Sequence, residues 1–403
     1  MKNIFYVSNT CSPDKFEALF NESKIKPQQQ AQKFHSLFIK GLGELNNNIF
    51  VMSALPINSL SMDKFWIKKG KEKEDSVEYC YLPFINLPVL RHIFVFISGF
   101  IICFLWSFKK QNKLLVGDPL NLTSSASALL VSKLFRYKSV AIVTDLPDFM
   151  IRYSAKKSGI KHSLLSVYAS ICNFLIRKYD AYMILTEQMN EKINPRKKPY
   201  IVIEGMVDSS MKDRVNSLNK KYDEKIIIYA GALYEKYGVK KLIEAFMKVR
   251  FQDARLWLFG SGEMSNEIKE FEKVDKRIKY FGVVPNSTVV AEEIKATLLV
   301  NPRPSDESFT KFSFPSKNME YMVSGTPLLT TKLPGMPQEY CKYVYLFENE
   351  SEMGMTETIE AILSNDKEEL FTMGAEAKSY VINEKNNIIQ ARRLLDQLSQ
   401  FFI

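Results

Sequence analysis

Two successive series of strand-like apolar runs, separated by helical stretches, constrain the fold of this chain most. The first series comprises Ile4–Ser8, Ile49–Ser53, Val77–Leu82, Leu114–Gly117, Ser139–Thr144 and Ala181–Leu185. The second comprises Ile226–Gly231, Arg255–Phe259, Ile278–Phe281, Thr297–Asn301, Pro327–Thr330 and Tyr343–Phe347. Strands that alternate with helices are typical of parallel sheets covered by helices. The sequence therefore predicts an α/β protein with two parallel sheets.

The length of 403 residues suits two domains of about 200 residues each. The predicted linker is Asn194–Tyr200, where Pro195 and Pro199 bracket a basic run. This places an N-terminal domain at 1–198 and a C-terminal domain at 199–385. Residues 386–403 carry apolar side chains at near-helical spacing, which predicts a final helix with one covered face.

Cysteine usage and the N-terminus indicate the compartment. The five cysteines form no C-x-x-C pair and no metal-ligand spacing, so a reducing environment fits better than a disulfide framework. The first ten residues lack the long apolar core of a signal peptide. We therefore expect a cytoplasmic protein.

Positive charge is concentrated in the first half of the chain. Residues 1–198 hold 28 Lys and Arg against 15 Asp and Glu, which leaves 27 against 30 for the remainder. Such a basic half can serve nucleic acid, an anionic membrane or a phosphate-bearing substrate. No recognition motif for nucleic acid accompanies it, so a nucleic-acid partner is not expected.

Two segments bear on membrane contact. In Phe149–Lys178, five basic residues (Lys156, Lys157, Lys161, Arg177 and Lys178) alternate with bulky apolar ones, as in interfacial amphipathic segments, although a solvated basic helix fits equally well. Ile93–Phe108 is apolar but shorter than the roughly 20 residues needed to span a bilayer. It predicts a buried or membrane-touching helix, and monotopic insertion stays open. Lys68–Asp75 is predicted to be a solvated loop.

The stretch Ser313–Leu329 carries the most specific chemistry. It predicts a turn, a short helix that starts at Pro315 and ends at Gly325, and then a strand. Backbone N–H groups in the first turn of a helix attract anions, and Lys317 would reinforce that field. Glu320, one turn later, presents a carboxylate that can accept hydrogen bonds from sugar hydroxyls. The pattern suits a ligand that carries both phosphate and sugar.

With three upstream motifs, this stretch resembles the retaining glycosyltransferases of family 4, which have the GT-B fold of two Rossmann-like domains facing each other across a cleft. The four motifs occur in the family's order over roughly residues 200–340: Ile201–Asp208, the loop that contains Gly231 and Lys236, Leu256–Glu263, and the Glu320–Gly325 helix. The resemblance also implies that the C-terminal helix crosses back onto the first domain.

The resemblance implies a donor site in the second domain. Lys236 falls on the position that binds the diphosphate, Gly231 and Gly260 lie in turns next to it, and the Tyr280–Val284 segment, with Val283, faces the nucleobase. Ala232 stands where the family usually has arginine, so Arg303 or Lys317 is the expected replacement. The remaining donor-site candidates come from the turn and helix start: Ser313, Pro315, Ser316, Lys317 and Glu320.

Three carboxylates are the catalytic candidates. Family members usually carry a second glutamate eight positions before Glu320, but that position is Phe312 here, and Glu307 is the nearest upstream carboxylate. Family members often place a histidine after the strand that here ends before Asp145. Asp145, with Asp148 as the second candidate, could orient the acceptor or stabilise a positive anomeric carbon. A turn with two solvated acids is the structural alternative.

The resemblance implies transfer of a sugar from UDP or GDP to a lipid-linked saccharide in capsule, exopolysaccharide or O-antigen assembly, at the inner face of the cytoplasmic membrane. No Asp-x-Asp occurs in the sequence, so no metal and no cofactor are expected. Two other functions stay open: a soluble transferase with a small acceptor, and a nucleotide-sugar-binding scaffold without turnover, suggested by Ala232 and Phe312.

Overall fold

The computed structural model describes residues 2–152 and 160–401, and it divides into two compact units. One unit comprises Met1–Met206 with Asn387–Ile403, and the other comprises Val207–Asn386. Each contains a parallel sheet with helices. In the sequence-based interpretation, Lys156 and Lys157 supported an amphipathic segment; both lie outside the described residues, as does the side chain of Lys161.

The first unit is built on an eight-stranded sheet in the order β10-β9-β8-β7-β1-β2-β5-β4. Its strands are β1 (Asn3–Ser8), β2 (Asn48–Ser53), β4 (Gly70–Glu74), β5 (Val77–Tyr81), β7 (Lys113–Gly117), β8 (Lys138–Val143), β9 (Ala181–Ile184) and β10 (Tyr200–Val202), while β3 (Trp66–Ile67) and β6 (Phe84–Ile85) form a separate antiparallel pair. All neighbours in the large sheet are parallel except β4 and β5.

Helices of the first unit connect these strands. They are α1 (Pro13–Glu22), α2 (Gln29–Glu44), α3 (Pro88–Lys109), α4 (Leu122–Leu134), α5 (Pro147–Arg152), α6 (Ile160–Ile176) and α7 (Glu187–Ile193). Parallel connections within one sheet are right-handed. From β5 the chain moves in one direction across the sheet, through β7 and β8 to β9. The connecting helices α3, α4 and α6 therefore lie on one face of the sheet. Helix α2 lies on the other face, because it connects β1 to β2 in the opposite direction.

The second unit has a six-stranded parallel sheet in the order β13-β12-β11-β14-β15-β16. Its strands are β11 (Lys225–Ala230), β12 (Ala254–Phe259), β13 (Ile278–Gly282), β14 (Leu298–Asn301), β15 (Leu328–Thr331) and β16 (Tyr345–Phe347). Its helices are α8 (Val239–Met247), α9 (Ser265–Val274), α10 (Asn286–Lys295), α11 (Ser316–Ser324), α12 (Glu352–Leu363) and α13 (Lys367–Glu384). The final helix, α14 (Asn387–Phe401), belongs to the first unit.

Continuous apolar strands explain why both faces of the second sheet are covered. Along β11, Ile227 and Tyr229 pack into one core, whereas Ile226, Ile228 and Ala230 pack into a second core on the opposite face. A strand that is buried on both faces reads as an unbroken apolar run rather than an alternating one. This is why each strand predicted from the sequence overlaps an observed strand.

Two sequence predictions are corrected by the fold. The segment Lys68–Asp75 is not a loop, because β4 pairs antiparallel with β5 at the sheet edge, where an exposed, charged strand is favourable. The boundary between the units falls after Met206 rather than after Lys198, because Tyr200–Val202 pairs in register with β9 and completes the first sheet. The Ile201–Asp208 motif therefore starts in the first unit.

Helix α3 is longer than predicted, since it runs from Pro88 to Lys109 rather than over residues 93–108. Among the helices that the structure describes, it is the one long and apolar enough to cross a membrane by length and composition. One side of it is buried in the first unit. Length alone therefore does not decide whether it spans a membrane.

Helix α14 packs closely on α2. A Cβ built on Gly41 of α2 would lie 2.1 Å from the carbonyl oxygen of Asn387, the first residue of α14. Gln390 of α14 also donates a hydrogen bond from Nε2 to the carbonyl oxygen of Gly205 at 2.9 Å. The absence of a side chain at position 41 therefore sets how near the last helix approaches.

We expect Gly41→Ala to destabilise the first unit by about 1–3 kcal/mol, because the added methyl group meets backbone that cannot rotate away. Alanine normally favours a helix by roughly 1 kcal/mol over glycine, so the sign of the change is diagnostic. Urea unfolding followed by circular dichroism measures it, with the exposed neighbour Lys40→Ala as control. Increased stability of Gly41→Ala would contradict the close approach.

Candidate functional site

The second sheet has a topological switch point between β11 and β14. From β11 the chain first proceeds outward to β12 and β13, and then returns to β14 on the other side. The two strands are in register at only two positions, Ile227 with Leu298 and Ile228 with Leu299. In open parallel sheets, ligands bind in the crevice at the carboxyl ends of the strands at such a point. This edge of the second unit is therefore the candidate site.

A buried tyrosine connects the sheet to α11 at the switch point. The Tyr321 hydroxyl accepts a hydrogen bond from the Ala230 N–H at 2.8 Å and donates one to the Ala230 carbonyl at 3.1 Å. Ala230 lies beyond the point where β14 pairs with β11, so the hydroxyl supplies the partner that no neighbouring strand supplies there. This contact holds α11, through Tyr321, against the carboxyl end of β11.

Glycine turns fix the loops that follow β11 and β12. A Cβ on Gly260, which has φ +125°, would lie 1.9 Å from the carbonyl oxygen of Gly231, and one on Gly262 would lie 2.1 Å from that of Leu233. The Leu233 N–H donates to the Ser261 carbonyl at 3.0 Å, and the Gly260 N–H donates to that of Gly282 at 2.7 Å. No side chain could fit between these loops, so backbone forms the floor of the site.

Two cations lie around one aromatic ring. The Lys236 ammonium lies 5.3 Å from the centre of the Tyr237 ring, and the Arg303 guanidinium carbon lies 4.9 Å from the same centre. Arg303 also lies 5.6 Å from the Phe309 ring. Gly238, with φ +79°, brings this loop against Pro302, because a Cβ there would lie 2.0 Å from the Pro302 carbonyl oxygen. The structure thus brings together the two cations that the sequence analysis named separately.

The first turn of α11 carries a partly buried ion pair. Lys317 Nζ lies 3.1 Å from Glu320 Oε2, with side chains 28% and 14% exposed. Pro315 is the N-cap residue rather than the first helical residue that the sequence predicted, so α11 begins one position later, at Ser316. No side chain at the N-cap accepts a hydrogen bond from the first turn. Ser316 is exposed at the first helical position. Asn318 connects the helix to β14, because its Oδ1 accepts a hydrogen bond from Asn301 Nδ2 at 2.6 Å.

The loop before α11 orients its own backbone. Thr310 Oγ1 donates to the carbonyl oxygens of Glu307 at 2.6 Å and Ser305 at 3.1 Å, and Ser313 Oγ donates to that of Phe309 at 3.3 Å. Phe309 contacts Arg303, so Ser313 belongs to the same cluster. The Glu307 carboxylate is half-exposed.

Val283 follows β13 and is 75% exposed. Gly282, with φ +68°, turns the chain just before it, and Phe281 stacks on Phe259 with 4.6 Å between ring centres. An exposed apolar side chain at a strand's carboxyl end offers an apolar contact for a planar ring. Gly282 also hydrogen-bonds Gly260, so Val283 adjoins the glycine turns.

The first unit has its own switch point, between β1 and β7, and it holds a buried polar network there. Asp118 follows β7, and its Oδ2 lies 3.3 Å from Nε2 of His35, whose Nδ1 lies 2.6 Å from the Tyr6 hydroxyl. All three side chains are buried. No sequence pattern had pointed to these three residues.

The two aspartates predicted after β8 differ in environment. Asp145 reaches solvent, but surrounding protein atoms remove much of its hydration, and this burial, together with the negative charge of Asp118, raises its pKa to about 6. Asp148 lies in the first turn of α5 and accepts a hydrogen bond from Asn173 Nδ2 at 3.0 Å. Asp145 is therefore the carboxyl group whose protonation changes near neutral pH.

Several residues that shape the second-unit site were missed by the sequence analysis, namely Tyr237, Phe309, Asn318 and Tyr321. Each acts through a contact with a residue distant in the chain, which no local pattern records. In the described part of the chain, no group of three His, Cys, Asp or Glu side chains is arranged to hold a metal ion.

We expect Tyr321→Phe to lower the stability of the second unit by about 1–3 kcal/mol, because the Ala230 N–H loses its partner while buried. Thermal unfolding measures this, with Tyr343→Phe, a partly exposed tyrosine stacked on Tyr380, as the matched control. Equal melting temperatures for the two variants would refute the role assigned to the Tyr321 hydroxyl.

Comparison with known proteins gives a family match in the second unit and a set of similar folds. Residues 210–380, which lie within the second unit, match the family Glycosyl transferases group 1. No curated protein matches the chain. Among solved structures, sucrose-phosphate synthase from Thermosynechococcus elongatus is similar over 99% of this chain and 100% of its own, with a TM-score of 0.66 and 14% identity.

Two further solved structures show the same architecture. Anabaena HepE in complex with UDP-glucose is similar over 99% of this chain and 100% of its own, with a TM-score of 0.61 and 12% identity. The lipopolysaccharide outer core galactosyltransferase WaaB is similar over 99% of both chains, with a TM-score of 0.59 and 14% identity. The chain therefore has the GT-B fold, and this fold and the group 1 domain at residues 210–380 support its assignment as a GT-B glycosyltransferase.

Proposed function

We propose that this protein is a retaining glycosyltransferase of family 4 that moves a hexose from UDP or GDP to a lipid-linked saccharide during capsule, exopolysaccharide or O-antigen assembly. It would act as a peripheral protein at the inner face of the cytoplasmic membrane, with no metal or cofactor. The observation that carries the proposal is the uncapped start of α11, with the Lys317–Glu320 pair, next to the switch point of a group 1 domain.

In the proposed donor site, cationic and backbone groups stabilise the leaving diphosphate. Lys236, Arg303 and Lys317 supply positive charge, and the first-turn N–H groups of α11 add the positive end of a helix dipole. Arg303 and Lys236 both contact the Tyr237 ring. Arg303 would supply the positive charge that family members usually have at the position of Ala232. Glu320 accepts hydrogen bonds from the ribose, and Val283 lies against the nucleobase.

Negative charge is proposed to act at the sugar. In front-face transfer, the bond from the anomeric carbon to the donor phosphate breaks while the acceptor oxygen attacks the same face, and the leaving phosphate takes the acceptor proton. A protein nucleophile is then unnecessary. Asp145 or Asp148 would orient the acceptor or stabilise the positive anomeric carbon, and Glu307 would contact the donor sugar. Support for a UDP-linked donor comes from HepE, a structural neighbour solved with UDP-glucose.

Two alternatives are kept, and particular residues favour the first of them. Ala232 and Phe312 stand where the resemblance leads one to expect an arginine and a glutamate, which favours a nucleotide-sugar-binding scaffold without turnover. A soluble transferase with a small acceptor would fit the same donor site. Donor binding without transfer or hydrolysis favours the scaffold, and failure to float with vesicles favours the soluble enzyme.

We expect Lys317→Ala and Glu320→Ala to weaken binding of the cognate UDP- or GDP-sugar about tenfold to a hundredfold, because each removes one charged contact. Titration calorimetry across a panel of UDP- and GDP-sugars, with and without EDTA, measures the loss and identifies the base. The metal-free site predicts the same affinity in EDTA.

The matched control is the exposed pair Glu270 and Lys273 on α9, which has the same i, i+3 spacing and a 2.8 Å contact. Lys273→Ala and Glu270→Ala should bind the donor as the wild type does. Full affinity in Lys317→Ala or Glu320→Ala would refute the donor site.

We expect kcat/KM to fall about tenfold per pH unit below pH 6, because the raised pKa of Asp145 leaves its carboxyl neutral and uncharged there. Above pH 7 the group is ionised and the rate levels off. Asp118→Asn removes the nearby negative charge, so the acidic limb should move to lower pH. The surface variant Asp63→Asn should leave the limb in place. An unmoved limb in Asp118→Asn would exclude Asp145 as its source.

A further inference from the structure

Helix α3 is apolar on both sides, although only one side is covered. Its inner stripe, Val95, Gly99, Cys103 and Trp106, is buried. A Cβ on Gly99 would lie 2.6 Å from Ser127 Oγ of α4, so α3 lies directly on its neighbour. The outer stripe is exposed and comprises Val89, Leu90, Ile93, Phe96, Ile97, Ile101, Leu105 and Phe108. A surface helix of a water-soluble domain would carry polar residues at these positions.

Helices α4 and α6 extend this apolar surface. Leu130 and Leu134 are exposed one turn apart on α4. On α6 the exposed residues are Leu164, Val167, Ile171 and Phe174, at the spacing of one helix face. Helix α3 packs on α4, α4 packs on α6, and the three lie on the same face of the sheet. In the second unit, by contrast, the exposed large apolar residues are scattered: Val215, Tyr234, Val274, Val283 and Met353.

Positive charge lines one end of this surface. Exposed basic side chains stand at the C-terminal ends of the three helices, at Lys109, Lys133, Arg136, Arg177 and Lys178. Lys133 forms an ion pair with Asp180, so part of this charge is neutralised within the protein. The sequences of α3, α4 and α6 contain no aspartate or glutamate.

The charge distribution distinguishes between possible occupants. A second copy of this chain would bring the same basic helix ends and no carboxylate on the same three helices to pair with them. A membrane with anionic phospholipids offers both hydrocarbon for the apolar stripes and phosphate for the basic ends. The surface therefore fits an anionic lipid bilayer better than a second copy.

Packing of α3 also decides its orientation. With 22 residues, the helix is long enough to span a bilayer. However, Trp106 contacts Phe5 with 5.0 Å between ring centres, and Ser107 Oγ lies 3.1 Å from the Tyr137 hydroxyl. A spanning α3 would lose these contacts with β1 and with the residue that precedes β8. A helix that lies in the membrane plane keeps its inner stripe on the protein and places its outer stripe in lipid.

We propose that the outer stripes of α3, α4 and α6 form a membrane-docking surface for anionic phospholipids, with α3 in the plane of the headgroups. This docking surface rests on the peripheral attachment proposed above and gives it a location. It does not depend on the transfer reaction.

The first experiment compares two triple variants of the full chain. Ile97→Ser/Ile101→Ser/Leu105→Ser changes the docking surface, and Val215→Ser/Val274→Ser/Met353→Ser is the control at similarly exposed positions of the second unit. Flotation with vesicles of equal parts phosphatidylglycerol and phosphatidylethanolamine measures binding. We expect about a tenfold or larger loss for the first variant and none for the control.

The second experiment tests the basic ends. Lys109→Ser/Arg136→Ser/Lys178→Ser should weaken binding to the phosphatidylglycerol vesicles about tenfold to a hundredfold, and added salt should weaken the wild type similarly. Binding to pure phosphatidylcholine vesicles should not change with these substitutions. Equal loss on both kinds of vesicle would overturn the assignment of the basic ends to anionic lipid.

The third experiment uses a native probe. Trp66 is 44% exposed and packs on Phe94 of α3, with 5.7 Å between ring centres. Lipids brominated in the upper acyl chain should quench its fluorescence on binding, and Trp66→Phe should remove that quenching while Trp106 and Trp257 remain. Unquenched Trp66 in the vesicle-bound protein would overturn the proposed orientation.

Other outcomes would also overturn the docking surface. These are equal flotation of the two triple variants, resistance of the wild type to extraction at alkaline pH, which indicates a spanning helix, and a wild-type dimer that the α3 variant disperses. Donor calorimetry on the same variants separates this proposal from the transferase function. A protein that floats normally but binds no nucleotide sugar would refute the function and leave the docking surface standing.

Discussion

The second unit depends on one buried contact, the hydroxyl of Tyr321 between the N–H and the carbonyl of Ala230. Two parallel strands that part at a switch point leave backbone groups without partners, and such groups are costly in a dry interior. The tyrosine satisfies both groups from α11. The same contact holds α11, the helix that carries Lys317 and Glu320, against the end of β11. Fold and candidate donor site therefore share one interaction.

Close backbone approach is the second constraint. Gly260 and Gly262 let the loop after β12 approach the loop after β11 at distances that no Cβ would permit, because a Cβ would lie 1.9 Å and 2.1 Å from the carbonyl oxygens of Gly231 and Leu233. These loops form a floor of backbone, and Lys236 and Arg303 both lie against the Tyr237 ring. Aromatic rings attract cations through their π faces, so the Tyr237 ring gathers two positively charged side chains at one place. This arrangement offers a physical account of how a site with Ala232 in place of an arginine could still bind a diphosphate.

The first unit has a buried polar network within its apolar core and, in addition, an exposed apolar surface on one face of its sheet. Asp118, His35 and Tyr6 form a buried hydrogen-bonded network at the carboxyl edge of the sheet, and the charge of Asp118 acts on Asp145. On one face of the same sheet, the docking surface exposes apolar stripes at a cost in hydration that a monomeric protein in water rarely bears. The solvent-reaching Asp145 and the apolar stripes have a common explanation if the acceptor is a lipid-linked saccharide: the saccharide would contact the carboxyl group, and the lipid would keep the protein at a membrane.

The sequence by itself determined the two parallel sheets, because strands buried on both faces appear as unbroken apolar runs. It also determined the approximate bounds of α11, because proline marks the beginning of a helix and glycine its end through local backbone geometry. Tertiary structure decided the rest. It moved the domain boundary to Met206, since pairing of Tyr200–Val202 with β9 depends on a register that no local pattern contains. It made a strand of Gly70–Glu74, since a charged segment pairs when a sheet edge is adjacent. It joined Tyr321 to Ala230, and it showed which side of α3 is covered. Apolar periodicity reports that a helix has apolar faces, but only the positions of its neighbours, distant in the chain, determine which face meets protein and which is left for another partner.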